Sequence, residues 1–265
     1  MLKKRIMDTL RTFSDPSLSD PSLLLRLAPR PTQGIPSACL VCAQKLRNEQ
    51  ICSGCQLQLP YLDEAQRLCQ SCALPLSGTS PYCGRCLSAP PAFECCRIPF
   101  RYDYPLKRLI QRFKYRGQLA YGRLLAEQML AYLQTDWRQQ APLAETDWLI
   151  PVPMHWSRRL KRGFNQTELL ARDLAGPLGL TVHTGLCRRQ RPTQPQEGLS
   201  RRERQQNLRR AFTLCPGAGA QLEGRSLVIL DDVVTTGSTV RELSRLMMAA
   251  GASRVEVWAL ARTPE

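Results

Sequence analysis

Histidine is scarce in this chain: His155 and His183 are the two in 265 residues. No nucleophile–base pair is visible around either, which leaves hydrolysis of the Ser–His or Cys–His kind without support. Both read as structural, His155 beside a basic segment and His183 in an expected strand. Long apolar runs are missing too. No stretch approaches the roughly 18–20 uninterrupted apolar residues that a membrane helix needs, and the longest candidate, 23–28, is broken by Arg26. The basic start, 1–11, is followed by no apolar region of about 7–15 residues, so a secretory signal is not expected and the cytoplasm is the expected compartment. Acidic residues are the minority charge, 22 against 37 Lys and Arg, for a net charge of +15. That shortage points to an anionic partner.

What is present is an apolar fraction of 43%, enough for a sizeable core, in a length that accommodates one full domain and a small accessory one. The positive charge is uneven. Between Arg158 and Arg210 there are 13 Lys/Arg against 4 Asp/Glu, a net +9. Pyrophosphate, a nucleotide or a polynucleotide would each suit such a segment. Twelve cysteines in a reducing compartment point to metal before disulfides.

The chain reads in three parts. Residues 1–37, rich in Ser, Asp and Pro, suggest a flexible tail with at most one short helix around 23–27. Residues 38–96 hold ten of the cysteines and show little regular apolar period, so they must be held by something other than a core. Residues 97–265 behave differently. Leu106, Leu109, Ile110 and Phe113 fall at i, i+3, i+4 and i+7, one face of an amphipathic helix ended by Gly117. A second helix is expected over 119–134. Residues 148–153 are an apolar run closed by proline, a buried strand. Asn165 and Glu168 have capping-box spacing for a helix that Gly176-Pro177 should end. Residues 187–210 read as a long exposed loop. Residues 226–230 and 255–261 read as strands, with Val240, Leu243, Met247 and Ala250 as the inner face of the helix between them and Gly251 as its C′ residue. This order predicts an α/β domain with a mostly parallel sheet flanked by helices.

Within it stands Val228-Ile229-Leu230-Asp231-Asp232-Val233-Val234-Thr235-Thr236-Gly237-Ser238-Thr239. A strand delivers two acids, then a hydroxyl- and glycine-rich turn, then a helix. The turn and helix start aim N–H groups at one point, and the helix dipole adds positive potential there. Thr235, Thr236, Gly237, Ser238 and Thr239 are therefore candidate phosphate ligands. Asp231 and Asp232 cannot face that phosphate without repulsion; they suit vicinal ribose hydroxyls or water on Mg²⁺ and are the candidate catalytic acids. No Lys follows the glycine, so the string is not a Walker A loop, and it lacks the three-glycine dinucleotide spacing. An ordinary glycine turn is the competing reading, and two adjacent acids ending an apolar strand weigh against it.

Two basic segments accompany the loop. Arg158, Arg159, Lys161 and Arg162, with Asn165 at the following helix start, suit the oxygens of a pyrophosphate; a solvated basic turn is the bland alternative. Gln194, Gln196, Ser200, Arg201, Arg204 and Asn207 lie in the long polar loop, which has the length and polarity of a lid or of a nucleic-acid contact.

Four CxxC pairs, Cys39/Cys42, Cys52/Cys55, Cys69/Cys72 and Cys83/Cys86, can each present two thiolates to one ion, and two pairs complete a tetrahedral Cys₄ site. Sequential use gives two structural zinc sites, 39–55 and 69–86. Interleaved use is the alternative pairing, and an iron–sulfur cluster the rival metal. Cys95, Cys96, Cys187 and Cys215 read as spare or core thiols.

The string at 228–239 matches the phosphoribosyl-pyrophosphate (PRPP) binding motif of type I phosphoribosyltransferases at every position. With the CxxC pairs, Phe113-Lys114-Tyr115-Arg116-Gly117, Pro151-Val152-Pro153, Arg162-Gly163-Phe164-Asn165-Gln166, Leu199-Ser200-Arg201-Arg202-Glu203-Arg204 and Asn207, the chain resembles the ComF/GntX family over about 38–263. The resemblance implies a type I phosphoribosyltransferase fold behind a double zinc ribbon, PRPP with Mg²⁺ as ligand, and a role in natural competence or use of DNA as nutrient, with single-stranded DNA and competence proteins as partners. It does not supply an acceptor. The C-terminal half is also similar to the transferase half of amidophosphoribosyltransferases. A non-catalytic module that binds single-stranded nucleic acid, with PRPP as regulator, is the alternative; the ribbon's lack of an aromatic series weighs against it.

Overall fold

The computed structural model describes residues 36–47, 49–62, 67–136, 146, 148–190 and 211–264. The expected tail lies outside the described residues except at 36 and 37, and so do all six lid positions, Gln194, Gln196, Ser200, Arg201, Arg204 and Asn207. The chain divides into two compact units, Met1–Cys52 and Ser53–Glu265.

In the first unit, β1 (Pro36–Ala38) and β2 (Lys45–Arg47) pair antiparallel, Ala38 opposite Lys45. The knuckle between them folds on itself: Ala43, at φ 63°, donates its N–H to the Cys39 carbonyl at 2.8 Å.

The second unit contains α1 (Ser53–Leu57), α2 (Gly84–Ser88), β3 (Cys96–Arg97), β4 (Phe100–Arg101), α3 (Leu106–Arg116), α4 (Leu119–Asp136), β5 (Trp148–Pro151), α5 (Trp156–Arg162), α6 (Gln166–Leu178), β6 (Thr181–Val182), β7 (Cys187–Arg189), β8 (Phe212–Leu214), α7 (Ala218–Leu222), β9 (Ser226–Val234), α8 (Ser238–Ala249) and β10 (Arg254–Arg262). A parallel sheet runs β3-β10-β9-β5-β6, with β4 joining β10 beyond β3. Its central strands are apolar on both faces, as a sheet covered on both sides requires: Val228, Ile229, Leu230, Val257, Trp258 and Ala259 are all buried. Leu106, Leu109, Ile110 and Phe113 of α3 are buried as their spacing predicts, and Gly117 caps that helix at φ 61°.

Four expectations change. First, α6 does not stop at Gly176-Pro177 but runs to Leu178 and is capped by Gly179. Pro177 has no N–H to give the Asp173 carbonyl, a single lost bond that the last turn tolerates, and the helix end is closed by the Leu180 N–H on the Ala175 carbonyl at 2.9 Å. Second, residues 187–189 are not loop: they pair antiparallel with β8, Cys187 opposite Leu214. Third, Arg158 to Arg162 form a short helix, with His155 as N-cap accepting the Ser157 N–H at 3.3 Å. That helix buries none of its side chains, so no apolar period could announce it. Fourth, the second cysteine set does have a core. Cys69, Cys72, Cys83 and Cys86 share one apolar cluster with Phe93, Ile150, Val234, Val240 and Val257. Sulfur and short loop side chains such as Ala73 and Leu74 fill this contact without any periodicity.

Candidate functional site

The carboxyl ends of β5 and β9 lie side by side, Pro151 opposite Leu230, which is where parallel α/β sheets bind ligands. β9 continues to Val234, four residues past the expected strand, so Asp231 and Asp232 are strand residues. Side chains alternate along a strand, and the two acids part accordingly. Asp231 lines a shallow solvent-open cleft together with Val233, Thr235, Gly237, Ser238 and Thr239. Asp232 is buried; its Oδ1 meets Lys114 Nζ at 2.9 Å and its Oδ2 accepts from Gln166 Nε2 at 2.7 Å. Desolvation, then the Asp232 charge, push the Asp231 carboxyl up to about 7.

The turn after β9 is built as the motif requires. Gly237 sits at φ 70°, a left-handed conformation that a side chain would strain, and α8 begins at the next residue. Thr236 Oγ1 and Ser238 Oγ lie 2.8 Å apart, linking the two hydroxyls across the glycine. The first amides of α8 have no acceptor within the helix and point along its dipole toward the cleft end.

The basic residues divide. Arg162 donates to Gln166 Oε1 at 2.5 Å, so Arg162, Gln166, Asp232 and Lys114 form one continuous polar chain. Arg158 is electrostatically coupled to Arg189, and Arg189 to Asp231. Burial first, then Arg158, lower the Arg189 guanidinium to about 10. Arg159 pairs with Glu168 at 2.8 Å, and Lys161 is exposed. Asn165 is buried and spends its side chain internally, donating to the Val152 carbonyl at 3.2 Å and accepting the Thr167 N–H at 3.2 Å. Glu168 closes the cap by accepting from Asn165 Nδ2 at 3.3 Å.

Sequence reasoning assigned no role to Lys114 or Arg189, and read Gln166 only as one of the donors at the helix start that follows the basic segment. Lys114 carries a legible signal: it lies four residues after Ile110 on the rim of an apolar face, where a charge needs a counter-charge. Arg189 carried none, because its strand was read as loop. His183 stacks on Trp148 at 3.9 Å between ring centroids, a structural role like that of His155.

The cysteines gather in two sets, Cys39/Cys42/Cys52/Cys55 and Cys69/Cys72/Cys83/Cys86, each with its sulfurs within 4.8 Å of one another. This is the sequential pairing. Tetrahedral thiolates at about 2.3 Å from zinc lie about 3.8 Å apart, and Cys42–Cys52 and Cys72–Cys83 are separated by 3.8 and 3.7 Å. Backbone amides ready the first thiol of each set for ionisation. Burial opposes it, but the N–H groups of Cys42, Cys52 and Val41 hold Cys39 at about 6. Those of Cys83, Cys72 and Ser71 hold Cys69 at about 7.

A family model described as phosphoribosyl transferase domain matches residues 160–265, and one described as double zinc ribbon domain matches 35–87. Sheet, phosphate turn and cysteine sets thus define a type I phosphoribosyltransferase fold carrying a double zinc ribbon. "Competence protein F" of Haemophilus influenzae is 37% identical over 80% of this chain and 90% of its own. "DNA utilization protein YhgH" of Salmonella typhimurium is 37% identical over 86% and 98%. The chain belongs to the ComF/GntX family. Among solved structures, a glutamine PRPP amidotransferase from B. subtilis is similar at 22% identity and a TM-score of 0.33, over 52% of this chain and 26% of that one. No described helix is long and apolar enough to cross a membrane.

Proposed function

We propose that the cleft binds PRPP and that the protein is a Mg²⁺-dependent phosphoribosyltransferase serving DNA uptake or the use of DNA as nutrient in the cytoplasm. The observation that carries this reading is the cleft in which Asp231 shares its lining with Thr235, Gly237, Ser238 and Thr239. A sugar 5-phosphate meets the turn and the α8 amides, and its hydroxyls meet Asp231. Arg158 and Arg189 suit the pyrophosphate end. One cleft carboxylate fits a Mg²⁺ that keeps most of its ligands from water and phosphate. Bound Mg²⁺ would neutralise the leaving pyrophosphate. Asp231 would hold the ribose and offset the positive charge that develops at its C1. Asp232, closed off by Lys114 and Gln166, positions the strand end without touching ligand. Calorimetry of the zinc-loaded protein with PRPP and Mg²⁺ tests this: no heat of binding overturns it. A pyrophosphate-release screen across nucleobases, amines and single-stranded DNA then identifies the acceptor.

A second reading is favoured by α5. Trp156 and Leu160 are 66% and 76% exposed, one turn apart, among Arg159, Lys161 and Arg162. An aromatic and apolar face inside a cationic patch suits stacking and backbone contact with single-stranded nucleic acid. Binding lost steeply with salt and weakened by Trp156→Ala supports it; no binding at low salt rejects it. The two readings are compatible.

A further inference from the structure

The second ribbon touches the phosphate turn directly. Arg85 of α2, in the ribbon's last knuckle, donates to the Thr236 carbonyl and lies 3.4 Å from Ser238 Oγ. Arg262, buried at the end of β10, donates to the carbonyls of Val234 at 3.1 Å and Thr235, and its Nε donates to the Cys72 carbonyl at 3.2 Å. Arg241, in the first turn of α8, donates to Cys86 Sγ at 3.0 Å and to the Ala89 carbonyl at 2.7 Å. Three successive carbonyls of the turn are therefore held from behind by two guanidiniums. A third ties the following helix to a cysteine sulfur.

Peptide geometry turns this into a statement about the cleft. In a trans peptide the C=O and the next N–H point in opposite directions, and Tyr104-Pro105 is the cis bond among the described residues. Val234's carbonyl is also fixed by the Thr263 N–H at 3.0 Å, and drawing the carbonyls of Thr235 and Thr236 toward Arg262 and Arg85 aims the amides of Thr236 and Gly237 the other way. Successive amides so aimed form an anion nest. A tetrathiolate zinc site carries two negative charges, and Arg241 beside Cys86 with Arg262 beside Cys72 offsets them as outer-shell partners do.

We infer that the second ribbon is a working part of the phosphate site: Arg85 and Arg262 position the turn's amides, and the Cys69–Cys86 set anchors them in place. The inference rests on the PRPP reading above. Coupling of this kind is reciprocal, so ligand in the cleft must tighten metal at the second set and leave the first unaffected.

The test uses the full-length zinc-loaded protein with a zinc chelator and N-ethylmaleimide, with and without saturating PRPP and Mg²⁺, and cysteine alkylation followed by mass spectrometry. PRPP is expected to slow alkylation of Cys69, Cys72, Cys83 and Cys86 about tenfold, the scale of typical site-to-site coupling, and to leave Cys39, Cys42, Cys52 and Cys55 unchanged. Arg85→Ala is expected to keep both zinc ions, bind PRPP about tenfold more weakly, as loss of a charge-assisted hydrogen bond implies, and lose most of the protection; Arg85→Lys recovers part of it. PRPP that binds by calorimetry yet protects neither set, or both alike, overturns the coupling and leaves the PRPP reading standing. So does unchanged affinity in a zinc-replete Arg85→Ala. Failure of the wild type to bind PRPP removes both.

Discussion

Replacing Lys114 by methionine tests the least expected contact in the site. Lys114 and Asp232 meet at 2.9 Å with side chains 17% and 6% exposed. Methionine preserves the apolar stem and removes the charge, leaving Asp232 with Gln166 as its remaining side-chain hydrogen-bond partner among the described residues. Breaking a buried pair costs about 3–5 kcal/mol. Partial exposure of Lys114 and the surviving Gln166 bond put this case at the lower end, about 3 kcal/mol. For a unit of this size that lowers Tm by about 6–12 °C. Burial pulls the Lys114 pKa down, but Asp232 outweighs it and the net shift is upward. The charged lysine's contribution is therefore complete below its unfolded pKa of about 10.4 and fades as pH rises through the higher folded value. The difference between wild type and Lys114→Met should be flat from pH 6 to 9 and shrink above about pH 10. The assay is a double-mutant cycle with Asp232→Asn, read by thermal and denaturant melts. The double variant should recover about 2 kcal/mol relative to the sum of the single losses. Coupling below about 0.5 kcal/mol, the level of independent sites, would refute the claim that these charges need each other.

Asp231→Asn should separate stability from binding. The wild-type carboxyl is raised to about 7, so its favourable protonated state is complete below about pH 4 and is lost as pH rises through 7. The asparagine variant should therefore be more stable at pH 8, by about 1–3 kcal/mol after discounting for the open cleft, no more stable at pH 4, and unable to bind PRPP; denaturant melts at both pH values with calorimetry check this. Gly237→Ala should lose about 1–2 kcal/mol from backbone strain at φ 70° and more than tenfold in PRPP affinity. The added Cβ would meet nothing closer than Val234 Cγ1 at 3.7 Å, so strain and not collision is the cause. Metal analysis should find two zinc ions per chain. Under chelator the first should leave faster, because Cys42 is exposed while all four cysteines of the second set are buried; equal rates would count against burial as the control.

The parts of the site that sequence reveals are those written in consecutive residues. The turn at 235–239 and the CxxC pairs are local, and their chemistry follows from residue type and spacing. The α3 face and the Asn165 cap are legible for the same reason. What is not legible is where a strand ends and which long-range partner a charge finds. Apolar residues at Val233 and Val234 carry β9 past the acids, and one extra pair of strand residues is enough to send Asp231 and Asp232 to opposite faces. Arg85, Arg189 and Arg262 look like any surface arginine in a strongly basic chain. Their contacts span 151 residues for Arg85 to Thr236 and 190 for Arg262 to Cys72, beyond the reach of any periodicity.

The arginines whose charges act near Asp231 are themselves an argument for the ligand. Arg189 is half-buried, and both that burial and the charge of Arg158 disfavour its charge. A bound anion would work against both effects. The nearby acid that favours Arg189 is Asp231, itself resisting ionisation. An oxyanion of high charge density beside Arg158 and Arg189 relieves the repulsion in one step, and a diphosphate does so at two adjacent groups. The same binding draws in a divalent cation, which in turn favours the ionised form of Asp231. Pyrophosphate and Mg²⁺ should therefore stabilise the protein more together than the sum of their separate effects, because each removes what opposes the other.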